Sequence, residues 1–194
     1  MSSPANTDID VCSRALILIG AEPITSFADN NNEALVASNM YEDIARSSLV
    51  STRWRFATNQ AVLNRLTAPP TGRYDAAYQL PNNWLMTHVV TVNDSPIEYQ
   101  TYGDKLYCDE PSTSTLVLDY TYRPDEVDWP SYFTVAVEYE LAAMFAASIA
   151  RDSQLAQLME QQARIKMIAA RNIDAQQQTT RKLTTNRFIV NRRT

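Results

Sequence analysis

Residues 131–176 read SYFTVAVEYELAAMFAASIARDSQLAQLMEQQARIKMIAARNIDAQ. No glycine or proline interrupts the stretch, and its apolar residues recur at helical spacing. Val135 to Ala150 is apolar on nearly all sides, the pattern of a central buried helix, and Ala142, Ala143, Ala146 and Ala147 allow close helix contact. After Arg151-Asp152-Ser153, where the helix bends or restarts, Leu155, Leu158, Met159, Ile165, Ala169 and Ile173 continue an apolar stripe. Unbroken, the stretch would be a rod of roughly 70 Å. A helical body is therefore expected, with this segment at its centre.

Upstream, the texture differs. Residues 73–123 are rich in Tyr, Thr and Val, with strand signals at Tyr74–Leu80, Met86–Val92, Ile97–Tyr102, Lys105–Cys108 and Thr115–Arg123. Gly103-Asp104 reads as a tight hairpin turn. Along the last strand Leu116, Leu118, Tyr120 and Tyr122 point one way. Before Pro69-Pro70-Thr71-Gly72 the texture is helical again. Ile9, Cys12, Leu16 and Ile19 make one stripe ended by Gly20, and Val36, Met40 and Ile44 mark a second helix over about 32–53. Trp54-Arg55-Phe56 closes that helix, and Trp54 and Phe56 are expected as core anchors. Residues 57–66 fit a short helix or an extended segment.

The expected fold is α+β: a helical bundle with a long C-terminal helix, a small antiparallel β-sheet or barrel insertion, and an extended C-terminal tail. The boundaries are 1–66 and 130–178 for the helical body, 67–129 for the β-rich insertion and 179–194 for the tail.

The chain has 194 residues, 17 basic and 22 acidic, and the distribution is lopsided. Residues 1–150 hold 8 basic and 19 acidic residues, a balance of −11; residues 151–194 hold 9 and 3, a balance of +6. Arg181, Lys182, Arg187, Arg192 and Arg193 stand in 181–194 without one acid. Such a tail suits docking on another molecule. Arginines could neutralise nucleic-acid phosphates. Alternatively, Phe188-Ile189-Val190 could enter a groove or add a strand on a protein while the arginines meet its acidic rim. The apolar triplet favours the protein.

Little in the composition supports catalysis. With three glycines far apart, no phosphate loop or dinucleotide fingerprint can be written. One histidine, His88, and two cysteines, Cys12 and Cys108, leave no zinc site or histidine triad. His88 reads as a strand-surface residue and Cys12 as a buried small one. GxSxG is absent, and Asp125-x-x-Asp128 lacks the glycine and closing glutamate of a calcium loop. Glu138 and Glu140 lie in the apolar helix, where a buried charge needs a partner; a neighbouring subunit's arginine could supply one. The opening MSSPANTDIDVC has no basic region before an apolar core, so no signal peptide is expected. The longest apolar run, Leu141 to Ala150, is half the length of a membrane span. Reduced thiols and synthesis in a cytoplasm are expected.

The segment ALILIGAEPITSFADNNNEALVASNMYEDIARSSLVSTRWRFA resembles the opening of phage head-to-tail adaptors, the tail tubular protein A family and its relatives. A first helix ends at Ile19-Gly20. A turn with Ile24, Ser26, Phe27 and Asp29 follows. The next helix carries Tyr41 and Arg46 and closes in Trp54, Phe56 and Ala57. YQLPNNWL (Tyr78 to Leu85), the Tyr120–Pro124 turn and the alanine-rich helix after Trp129 are also similar to that family. The resemblance implies a structural virion protein without enzymatic activity or cofactor, placed at the portal vertex between capsid and tail. It implies a dodecamer ring that docks on the portal protein, extends the DNA channel and receives the tail nozzle or next tail ring. It also implies that the tail, here Arg187, Phe188, Ile189, Val190, Arg192 and Arg193, reaches the portal. The competing expectation is a nucleic-acid-binding module acting through the same tail.

Overall fold

A computed structural model describes residues 5–68, 70 and 72–177. Four α-helices and seven strands lie among the described residues, in two packed parts with separate cores.

The helical part holds α1 (Asp8–Leu18), α2 (Asn32–Val50), α3 (Ser131–Ser148) and α4 (Ser153–Gln176). Three of the four starts carry a side-chain cap. Thr7 caps α1 by accepting from the Asp10 N–H, and Asn31 caps α2 by accepting from the Ala34 N–H. Gly20 ends α1 at φ +75°, where a side chain would be strained, and the Ala21 N–H bonds the Leu16 carbonyl. The 131–176 stretch is two helices. Arg151 stands in the left-handed region at φ +53°, and Asp152 then caps α4 by accepting from Gln154 and Leu155. Met144 and Ala143 of α3 share a groove with Glu160 and Ala163 of α4, while Tyr132 reaches Asp174. The two helices therefore run antiparallel as a hairpin. Val11, Leu16, Leu49, Val137, Leu141 and Phe145 are fully buried between the four helices.

The β part is two antiparallel sheets rather than one sheet or a closed barrel. The first has order β1-β7-β3-β4, from Thr58–Val62, Leu116–Tyr122, Trp84–Val92 and Ser95–Pro96. The second has order β2-β6-β5, from Ala76–Gln79, Lys105–Cys108 and Gln100–Tyr102. Residues 57–66 thus hold strand β1. The chain after it crosses between sheets: the Leu63 N–H bonds Leu116 and the Leu66 N–H bonds Ala77, with a bridge between Arg65 and Tyr78. Leu106, Leu116, Leu118, Val90 and Tyr78 fill the space between the sheets. No ladder joins β4 to β5, so both edges stay open.

Two irregularities in the β3–β7 register join the parts. The first lies between Trp84 and Met86, so that Trp84 packs on the sheet core while Leu85 packs on the helices. The second, between Thr87 and Val89, places His88.

Candidate docking surfaces

The two expected anchors sit where helices and sheet meet. Trp54 is fully buried and donates its Nε1–H to the Ser48 carbonyl at 2.9 Å. Phe56 is half-buried, 4.9 Å from Phe133 and 6.1 Å from Trp54 between ring centres. Trp129 meets Phe133 edge-on at 4.9 Å. These rings bury apolar area in the body rather than lining a ligand cage.

The expected portal-binding residues Arg187, Phe188, Ile189, Val190, Arg192 and Arg193 lie outside the described residues. What is described is the end of α4, from which that segment continues. Asp174 there is buried, accepts from the Arg55 N–H and from the Tyr132 hydroxyl at 2.9 Å, and its carbonyl accepts from Arg55 Nε at 3.0 Å. Burial and the bond to Asp174 push the Tyr132 hydroxyl up to about 12. Sequence reading passed over Asp174, although one acid in a basic stretch was a usable signal.

A second polar knot holds the turn after β7. Arg123 reaches Glu126 at 2.5 Å and Glu42 of α2 at 3.0 Å, and its guanidinium lies 5.2 Å from the Trp129 ring. The Tyr41 hydroxyl donates to Glu126 at 2.6 Å. Burial opposes ionisation of Glu42 and Glu126, but hydrogen bonds from Arg123 outweigh it and hold both carboxyls below their ordinary range. Glu126 is therefore the ion-paired clasp of a 3-10 turn at Glu126–Asp128.

The α3 glutamates separate. Glu138 meets a cation of its own subunit, Arg14 of α1 at 3.6 Å. Glu140 accepts from the Ser48 hydroxyl and has no ion pair within 4 Å among the described residues. Burial raises both carboxyls despite these partners. Glu140 lines a groove of about 390 Å³ between α2, α3 and α4, with Ile44, Ala143, Met144 and Ala163 as apolar walls and the Glu160–Arg164 pair at its rim.

Helix α4 has a second apolar face. Leu158, Ile165, Ile168 and Ile173 are about half exposed, at 49, 57, 57 and 44%, opposite the buried Ala163, Met167 and Ala170. Between them on the wheel fall Gln161, Gln162, Ala169, Asn172 and Gln176, so this outward face carries no charge. A solvated helix normally turns charge to water, and charge depletion marks the centre of protein interfaces.

At the far end of the β part Tyr74 and Tyr102 flank Tyr107, at 6.1 and 5.6 Å, beside Arg73. His88 is half-buried on β3. It bonds Thr121 Oγ1 at 2.8 Å, and burial with the nearby Arg53 lowers its pKa. Cys12 and Cys108 are buried and unpaired, and burial pushes the Cys12 thiol up to about 12. Among the described residues no cluster of His, Cys, Asp and Glu could hold a metal ion, and no helix is long and apolar enough to cross a membrane. Neither a protein-family model nor a curated protein matches this chain.

Proposed function

We propose that the chain is a structural virion protein, a head-to-tail connector without catalytic activity. Twelve copies form a ring at the portal vertex, dock on the portal protein, extend the DNA channel and support the tail nozzle or the next tail ring. DNA passes through the lumen without sequence-specific contacts. The observation that carries this reading is the ordered set of motifs from Ile19-Gly20 through Trp54-Arg55-Phe56 to Tyr120–Pro124, which resembles that adaptor family.

Two physical features support it. Ring contacts need outward faces that neighbours can cover, and α4 carries one free of charge. An acidic body repels phosphates, so DNA slides along it rather than sticking. Electron microscopy of the protein mixed with the portal from the same virion tests the reading. Rings on the portal are expected, and deleting residues 181–194 should abolish them while the body stays folded. Undiminished co-assembly of the deletion variant overturns the role of the tail; absence of any co-assembly by the full chain overturns the connector.

The five acid-free cations of 181–194 favour a second reading, a nucleic-acid-binding module. Its affinity would fall steeply with salt. No binding to DNA or RNA at low salt eliminates it.

A further inference from the structure

The groove between α2, α3 and α4 has an unusual chemistry. Its walls are Ile44, Ala143, Met144 and Ala163, yet a half-buried carboxylate, Glu140, opens into it. The other two charges, Glu160 and Arg164, neutralise each other across 2.5 Å at the rim. Among the described lining residues, the charge left for an occupant to meet is the one on Glu140. Ser48 donates one hydrogen bond to that carboxylate, and Arg171 is felt only at longer range.

A phosphate would be repelled. A purely apolar peptide would strip water from the carboxylate without replacing it. A fitting occupant carries apolar side chains beside a cation, and Arg donates the paired hydrogen bonds that suit a carboxylate. In this sequence the acid-free segment Arg187-Phe188-Ile189-Val190-Asn191-Arg192-Arg193 has that composition.

We propose that this groove binds the chain's own C-terminal segment, folded back so that one arginine of 187–193 meets Glu140 and Phe188-Ile189-Val190 lies on the Ile44, Ala143 and Met144 walls. The reach is sufficient. Arg164 lies thirteen residues before Gln177 on α4, about 20 Å away at the helical rise. Ten further residues lead from Gln177 to Arg187 and span up to about 33 Å when extended. Tethering supplies a local concentration in the millimolar range, so weak contacts suffice to fill the groove. The berth goes beyond the connector reading. A portal would capture the segment from it, and each event can fail without the other.

The full chain tests this with Met144, a groove wall, replaced by photoreactive p-benzoylphenylalanine. Irradiation of dilute protein should give a product of single-chain mass joined within residues 181–194. Glu140→Gln should lower its yield about tenfold, the worth of a hydrogen bond to a charged group. Capture elsewhere, no internal capture, a two-chain product, or a yield indifferent to Glu140→Gln overturns the proposal. The wild-type side chain gives an independent readout. The Met144 methyl carbon resonance should move in the Arg187→Gln, Arg192→Gln, Arg193→Gln triple variant, and an unmoved resonance also overturns the berth.

Discussion

Arg55 and Asp174, 119 residues apart in sequence, are joined by backbone and side chain at once: the Arg55 N–H meets the carboxylate while Arg55 Nε meets the Asp174 carbonyl. This pins the last turn of α4 to the junction between α2 and β1. Asp174→Ala removes the acceptor for the Arg55 N–H and the Tyr132 hydroxyl, and should cost about 2–3 kcal/mol in urea unfolding. Hydrogen exchange should speed up over 170–177 and leave α3 protected. A cost under about 0.5 kcal/mol would show that the pin is not needed.

Arg123→Met should be more damaging, by about 3 kcal/mol or more, because Glu42 and Glu126 lose their shared cation. The pH dependence has a definite sign. Both carboxyls sit below the ordinary 4.5, so the unfolded chain takes up protons first as pH falls. Their contribution is present above about pH 4.5 and is lost as the pH falls through the folded values. In Arg123→Met the acid limb of the stability profile should flatten. An unchanged limb would assign it to other groups.

Glu138 has the opposite sign. Burial raises its carboxyl in the folded state, with the Arg14 guanidinium only partly compensating. Stability from this group is full below pH 4.5 and is lost as pH rises through the folded value. Glu138→Gln cannot ionise, so it should leave stability at pH 4 nearly unchanged and raise it at pH 7. A loss of stability at pH 7 would mean that Arg14 outweighs burial.

The outward face of α4 gives a prediction about assembly. Ile165→Glu with Ile168→Glu puts charge on two residues that are more than half exposed. The monomer's unfolding free energy should change by no more than about 0.5 kcal/mol per site. Association between copies, followed by sedimentation or by ring counts on the portal, should disappear. Rings formed as well as by the wild type would move the subunit contact to another face.

Much of this architecture is written in local chemistry. The apolar stripes placed α1 and α2, and Arg151-Asp152-Ser153 carried both the bend and the cap that start α4. For strand β1 a short helix and an extended segment both stayed open, because its alternation is faint. Thr58-Asn59-Gln60-Ala61-Val62 is an edge strand, largely solvent-facing, so no buried period marks it. The division into two sheets was equally hidden, since strand texture does not encode which edges pair. Asp174 with Arg55, and Arg123 with Glu42, are contacts across 119 and 81 residues, beyond any spacing rule. Burial of Glu138 and Glu140 follows from their place in an apolar helix; only the packing of α1 on α3 shows that Glu138 meets Arg14 while Glu140 faces a groove.

The two cores described above also partition the tolerance of this protein to genetic change. Leu106 and Leu118 belong to one cluster, Leu141 and Leu16 to the other, with the register shift at Leu85 on the seam. Substitutions in different clusters away from that seam share no partners, so their effects should add, while pairs within one cluster interact. The sheets can therefore diversify their outward loops and recover by local second-site changes, without calling on the helices to compensate.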